Sequence, residues 1–225
     1  MNRDTLIFDL DGTLADTAPD LVATLNRIGA PRGLPAVDTK DIGQIVGHGA
    51  KAMIRQSFAL AEREAEDGEV EAMFDDFLSD YSVHLADKTV LFEQVAETLD
   101  ALSAKGFILC VCTNKTERFA VRLLEELNTL DRFASLSGGD TFEFRKPDAR
   151  HLEETAKAAG SSLERSIMIG DSSTDINAAI NAGIPSIAVT FGYSDKPVTE
   201  LDADAIISNY RELPGKIEAI RQRGS

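Results

Sequence analysis

Two carboxylates two residues apart, Asp9 and Asp11, follow directly on the apolar run Leu6-Ile7-Phe8. A short uninterrupted apolar run reads as a strand covered on both faces. A strand of that kind that delivers two acids to its carboxyl end needs a cation there, because unpaired buried charge is costly. Hard oxygen ligands at this spacing suit magnesium, Mg2+. Gly12 behind them lets the backbone turn sharply enough to keep both acids at one site. Taken alone, Asp-x-Asp-Gly is read more simply as a strand followed by an Asp-Gly turn, so the assignment depends on what other segments bring to the same place.

Those segments are strands and helices in alternation. From residue 91 onward the spacing predicts helices over 94–104, 116–127, 149–159, 172–182 and 210–220. Between them it predicts strands over 107–112, 166–170, 187–189 and 205–207, with a short apolar element at 133–136. This alternation requires right-handed crossovers and a mostly parallel sheet, so the fold class is α/β with a Rossmann-like core. Ligands of such sheets bind outside the carboxyl ends of the strands. That rule selects Asp9 and Asp11, then Thr113 and Asn114, then Asp171, with Asp175 a turn further on. Singly, each has a plain explanation. Thr113 and Asn114 satisfy a helix entry, and Asp171 with Asp175 caps a helix and complements its dipole. Together they surround one crevice with acids and donors. Lys146, held on a loop because Pro147 suits the first helical position, supplies a cation able to neutralise Asp9 and hold a phosphoryl oxygen.

Residues 16–85 carry no strand pattern. Leu21, Leu25 and Ile28 are spaced for one helix, residues 41–60 for a second that Gly47-His48-Gly49 interrupts, and Phe74, Phe77, Leu78, Tyr81 and Leu85 for a third. The acidic run 62–71 reads as a solvated stretch. The expected organisation is a core of residues 1–15 and 86–225 with 16–85 inserted as an all-helical cap.

The chain has 225 residues, 43 % of them hydrophobic and 27 % charged, and a formal net charge of -15. That balance argues against nucleic acid and anionic membranes as partners. No apolar stretch is long enough to span a bilayer. The first strand begins too early for a signal peptide, and Cys110 and Cys112, pointing the same way along one strand, read as reduced core residues. A cytoplasmic protein is expected, monomeric or homodimeric.

Asp9-Leu10-Asp11-Gly12-Thr13, Thr113-Asn114, Lys146-Pro147 and Gly170-Asp171-Ser172-Ser173-Thr174-Asp175 resemble, in order, the four motifs of the haloacid dehalogenase-like phosphohydrolases. Within that superfamily the chain is most similar to phosphoglycolate phosphatases, through Asp16-Thr17-Ala18-Pro19-Asp20-Leu21, Val46-Gly47-His48-Gly49-Ala50, Thr113-Asn114-Lys115, Gly138-Gly139-Asp140, Asp175-Ile176-Asn177-Ala178-Ala179 and Thr190-Phe191-Gly192-Tyr193. It departs from them at Leu91-Phe92-Glu93-Gln94-Val95, where a Tyr-Pro-Gly-Val-like turn is usual. The resemblance implies that Asp9 is a nucleophile forming an aspartyl-phosphate and that Asp11 is the acid and base. It implies magnesium on the Asp9 carboxylate, the Asp11 carbonyl and Asp171, with Asp175 supporting the metal's water shell. Thr113, the backbone of Asn114, and Lys146 would cradle the phosphoryl group. The implied substrate is a small phosphorylated metabolite, 2-phosphoglycolate first among them.

Asp11 disfavours haloacid dehalogenation, whose catalysts lack that second acid, and phosphotransport ATPases carry a threonine there. A phosphosugar mutase and a catalytically silent phosphate-binding module remain as alternatives. His48, His84 and His151 lie near no nucleophile elbow. Gly47, His48, Lys51 and Arg55 are the cap residues expected to meet the leaving group. Lys51 and Arg55 lie four apart on one helix face, where they would receive a substrate carboxylate.

Overall fold

Period-two alternation on a parallel sheet sends neighbouring side chains to opposite faces, and here both faces are buried. A computed structural model describes residues 4–223, with the backbone alone for residues 41–45. Residues 1–3 and 224–225, the outer ends of the expected core, lie outside the described residues. The chain runs through β1 (Thr5–Phe8), β2 (Ala15–Asp16), α1 (Ala18–Gly29), α2 (Thr39–Ile42), α3 (Ala50–Leu60), α4 (Asp67–Val83) and β3 (Val90–Leu91). It continues through α5 (Val95–Ala104), β4 (Ile108–Cys112), α6 (Glu117–Glu126), β5 (Ser135–Ser137), α7 (Ala149–Ala158) and β6 (Ser166–Gly170). It ends with α8 (Ser173–Ala182), β7 (Ser186–Val189), β8 (Ala205–Ile207) and α9 (Leu213–Arg223).

Six strands form a parallel sheet in the order β5-β4-β1-β6-β7-β8. Leu6 and Phe8, Leu109 and Val111, and Ile167 and Ile169 point into one apolar cluster. Ile7, Cys110, Cys112 and Met168 point into the other, against Leu152 and Ala156 of α7 and Ala178 and Ala179 of α8. Both cysteines are free and share that face, and burial pushes the Cys110 thiol up to about 11 and the Cys112 thiol to about 12. Phe8 pairs with Val111 on one side and Ile169 on the other, so the carboxyl ends of β1, β4 and β6 lie level. The strand order reverses about β1, which makes the crevice at its end the place where an α/β sheet takes a ligand.

The helical insertion leaves and rejoins this core at one point. β2 and β3 pair antiparallel, Ala15 with Leu91 and Asp16 with Val90. These two-residue strands are too short for any periodicity to predict. Asp20 Oδ2 ties the two ends together by accepting from the Lys88 and Thr89 N–H groups and the Thr89 hydroxyl, at 2.9, 2.8 and 2.8 Å. Inside the insertion Leu21, Leu25 and Ile28 of α1 pack with Met53, Ile54 and Phe58 of α3 and Val70, Met73, Phe77 and Tyr81 of α4. The charged residues of the acidic run are exposed, as expected, and its second half is helical. Glu66 and Glu69 form a capping box and Asp67 opens α4, where negative charge complements the helix dipole. Among the described residues no helix is long and apolar enough to cross a membrane.

Candidate active site

Asp9 continues β1, its N–H donating to the Ile169 carbonyl at 2.9 Å, so its side chain leaves the sheet where β1 and β6 end together. Its Oδ1 accepts from the Leu10 N–H at 2.7 Å and lies 3.0 Å from Lys146 Nζ. Lys146 also donates to Asp175 Oδ1 at 2.7 Å, with its side chain 1 % exposed. Burial disfavours the ammonium, but Asp175 and Asp9 outweigh it and hold the Lys146 pKa above its ordinary value. Burial, with repulsion from Asp175, lifts Asp9 to about 7 against the opposing pull of Lys146. Asp171 is pushed well above the carboxylate range by burial and by the charges of Asp175 and Asp9.

The supporting bonds explain why these residue types stand here. Asp175 Oδ2 accepts from the Asp171 and Ser172 N–H groups and the Ser172 hydroxyl, at 3.2, 3.1 and 2.8 Å, closing a capping box on α8. Asp171 accepts from the Thr13 hydroxyl at 3.0 Å and the Tyr193 N–H at 2.6 Å. Gly12 has φ +78°, and a β-carbon there would fall 2.3 Å from Asp171 Oδ2. Only glycine fits that turn and that approach. Thr113, 1 % exposed, continues β4. Its Oγ1 accepts from the Lys115 N–H at 3.1 Å, which leaves its hydroxyl proton free for a ligand. Asn114 Nδ2 donates to the Lys146 carbonyl at 3.1 Å, and the Lys146 N–H donates to His151 Nδ1 at 3.1 Å, so the lysine's backbone is fixed from both sides.

Between these strand ends and the insertion lies a cavity of about 540 Å³. Asp9, Asp11, Thr113, Asn114, Lys115 and Arg145 line the core side, and Gly47, His48, Lys51, Arg55, Phe74 and Tyr81 are among those on the helical side. Of the expected residues, all but Lys146, Asp171 and Asp175 line this cavity, and those three are gathered behind it around Asp9, with two distinctions among the lining residues. The Asp11 carboxylate is turned onto Lys115 Nζ, 2.9 Å away, and lies outside the group formed by Asp9, Asp171 and Asp175. Lys51 and Arg55 line the cavity with their charged ends already engaged, by Glu71 at 2.7 Å and Asp67 at 2.7 Å. Gly47 serves contact between the two regions, since a β-carbon there would meet Ser172 Oγ at 3.2 Å.

The sequence profile of haloacid dehalogenase-like hydrolases matches residues 6–189. The chain belongs to this family. Among similar proteins, a phosphoglycolate phosphatase of Agrobacterium fabrum is 47 % identical over 97 % of this chain and 94 % of its own length. One of Mesorhizobium japonicum is 42 % identical over 95 % of this chain and 94 % of its own. The crystal structure of a predicted phosphoglycolate phosphatase from Haemophilus somnus superposes with a TM-score of 0.88 at 27 % identity, covering 96 % of this chain and 98 % of that one.

In this hydrolase the residues present fit a hard divalent cation. Asp9, Asp171 and Asp175 each offer a buried carboxylate oxygen, all within 4.8 Å of one another. Among the described residues Lys146 is the one ammonium bonded to this cluster, so three carboxyl groups share a single cation. Asp9 Oδ2 has no partner among the described residues, whereas both Asp175 oxygens are already taken by donors. Each Asp171 oxygen accepts one neutral donor, against three donors on Asp175 Oδ2 and an ammonium on its Oδ1, so Asp9 first and Asp171 next are better disposed to touch a metal than Asp175.

Four contributors escaped the reading of single motifs. Lys115 appears in the sequence as the third residue after β4, and the strand-end rule stopped one residue short of it. Tyr81 reads as part of an apolar stripe, yet its hydroxyl meets Lys115 at 2.8 Å. Tyr193 and His151 act through a backbone N–H and a ring nitrogen, for which residue type carries no signal.

Proposed function

We propose that this hydrolase is a magnesium-dependent phosphomonoesterase that works through an aspartyl-phosphate on Asp9. The observation that carries the reading is Asp9 itself: at a strand end, with Oδ1 held by Lys146 and the Leu10 N–H and Oδ2 open. Asp9 attacks phosphorus while Lys146 and the Thr113 hydroxyl bind the equatorial oxygens. Asp11 protonates the departing oxygen, then takes a proton from the water that releases phosphate. Magnesium, held by Asp9 and Asp171 with Asp175 supporting, would neutralise charge on the phosphoryl group. The insertion, residues 16–85, acts as a cap that shields the reaction from water and reads the leaving group.

For the substrate we propose 2-phosphoglycolate, supported by the relatives at 47 % and 42 % identity. Its carboxylate needs a cation free to receive it. Arg145 lines the cavity, and its guanidinium has no hydrogen-bond or ion-pair partner among the described residues. It is therefore placed for this role ahead of Lys51 and Arg55, whose partners must first be displaced. Asp9→Asn preserves shape and removes the nucleophilic anion, so turnover of every phosphomonoester should vanish while the fold survives. Parent-like activity in that variant would end the assignment. Chelation should stop the wild-type enzyme and added magnesium restart it. A turnover screen should rank 2-phosphoglycolate first, and an isomerised phosphosugar in place of free phosphate would indicate a mutase instead.

A further inference from the structure

Lys115 makes bonds that the roles above leave unused. Its Nζ donates to Asp11 Oδ1 at 2.9 Å and to the Tyr81 hydroxyl oxygen at 2.8 Å, and stands 4.7 Å from the centre of the Tyr81 ring. Its side chain is 6 % exposed. Burial opposes the ammonium, but Asp11 and Tyr81 outweigh it and raise the Lys115 pKa, so the charge persists. The backbone beneath is anchored twice, the N–H on Thr113 Oγ1 at 3.1 Å and the carbonyl on the Gly139 N–H at 2.8 Å.

Tyr81 is equally fixed. Its ring stacks on Phe77 of the same helix at 5.5 Å and meets Phe119 of α6 edge-on at 5.5 Å. The end of α4 is also clasped by Arg122, which donates to the Ser82 carbonyl. A lysine anchored in the core therefore holds one oxygen of Asp11, and a tyrosine anchored in the insertion holds that lysine. The other oxygen, Oδ2, has no partner among the described residues, and Asp11 lines the cavity.

We propose that Lys115 and Tyr81 are positioning residues for Asp11. By holding Oδ1, Lys115, itself braced by the Tyr81 hydroxyl, presents Oδ2 to the leaving group without competing for its proton. The inference rests on the acid–base role of Asp11 given above. As the bond from Asp9 to phosphorus forms, the bond from phosphorus to the leaving oxygen breaks. The electron pair stays on that oxygen, which takes the proton from Asp11 Oδ2. In the second half, water bonds to phosphorus and its proton passes to Asp11 Oδ2. The Asp9–phosphorus bond then breaks, with its electrons returning to the carboxylate. Lys115 and Tyr81 exchange no proton in either half. Because Tyr81 rides on α4, proton transfer is efficient only while the insertion is seated on the core.

The test compares kcat/KM for phenyl phosphate and 4-nitrophenyl phosphate, two esters with uncharged aryl groups that differ in how much their leaving oxygen needs a proton. Lys115→Met should slow the phenyl ester about tenfold more than the nitrophenyl ester, and Tyr81→Phe about threefold more. Asp11→Asn sets the scale with a larger differential. If both esters fall equally in Lys115→Met and in Tyr81→Phe while Asp11→Asn discriminates, the positioning role is overturned and the acid role stands. If Asp11→Asn does not discriminate, the acid role fails and the proposal with it. Tyr81→Phe keeps the ring packing, so it decides alone should Lys115→Met not fold.

Discussion

Lys51 lines the cavity from the helical side, Lys146 lies buried behind Asp9 on the core side, and the two lysines are held in opposite ways. Lys146 is 1 % exposed and bonded to Asp9 and Asp175, partners brought from distant parts of the chain by the sheet. Lys51 is 47 % exposed and bonded to Glu71, a neighbour on the next helix of the same insertion; Arg55, 52 % exposed, and Asp67 repeat that arrangement. The charges gathered around Asp9 are dry, crossed and mutually dependent, so they act strongly on whatever enters. Those on the helical wall are wet, local and replaceable. A site that performs one reaction on a shared phosphoryl group, beneath a wall free to vary with the leaving group, has this distribution.

The comparison breaks most visibly at the two lysines. Lys146→Met leaves Asp9 and Asp175 buried without their cation, which should cost about 3–5 kcal/mol of stability. It should also lower turnover by about 10²–10³-fold. Lys51→Met removes one exposed ion pair and should change stability by less than about 1 kcal/mol. Urea unfolding of the two variants checks this. Equal losses would mean that burial does not separate the two walls.

His151 extends the core's dependence one residue outwards. Burial first, then the charge of Lys146, depresses its pKa from 6.5 to about 4. Between those values the unfolded chain binds a proton that the folded protein does not, so stability rises with pH across the window. The contribution is complete above the unfolded value, is lost as pH falls towards 4, and amounts to about 3 kcal/mol. His151→Asn keeps an acceptor for the Lys146 N–H without titrating. It should flatten the difference in unfolding free energy between pH 7 and pH 4 by about that amount, and an unchanged pH dependence would remove His151 as the source.

Specificity tests the two walls against each other. Arg145→Gln should lower kcat/KM for 2-phosphoglycolate by about 2 kcal/mol, some thirtyfold, more than for an uncharged aryl phosphate. Replacing Lys51 and Arg55 together by alanine should produce a smaller selective loss, since each already has a carboxylate. Should the double variant lose as much selectivity as Arg145→Gln, the two ion pairs open to admit substrate and the helical wall reads the carboxylate.

How much of this was legible in the sequence follows the same division. The sheet, its alternation with helices and the residues at the strand ends could be read because parallel strands impose long apolar runs and place chemistry at one end. Asp9, Thr113 and Asp171 fall where that rule puts them, and Lys146 is legible from the loop that Pro147 fixes beside them. The engagement of Lys51 with Glu71 and of Arg55 with Asp67 could not be read. It depends on how α3 packs against α4; the charges of 62–71 do face solvent as read, but their role as a helix start needs the Glu66–Glu69 capping box to be seen. Nor could Tyr81, since a stripe of aromatics at helical spacing says where a ring is buried and nothing of where its hydroxyl points. The strands β2 and β3 were silent because two residues have no period.

The junction between the two regions offers the smallest effect and the sharpest local argument. After β3 the chain turns at Gln94, which holds φ 66° at the start of α5. Left-handed backbone costs a residue with a β-carbon about 1–2 kcal/mol, and the buried Gln94 Oε1 also lacks a hydrogen-bond partner. Gln94→Gly removes both penalties, while the greater freedom of glycine in the unfolded chain returns about 0.5–1 kcal/mol. The net gain should be about 1 kcal/mol, a rise in Tm of about 2–4 °C for a chain of this length, with kcat unchanged because no reacting group is touched. Gln94→Ala separates the two penalties, since it deletes the unpaired oxygen but keeps the left-handed β-carbon. Its Tm should rise less than that of the glycine variant. If alanine stabilises as much as glycine, the unpaired oxygen and not the backbone is what this junction tolerates. If glycine lowers Tm, the Gln94 side chain makes a contribution to the junction that outweighs its own strain.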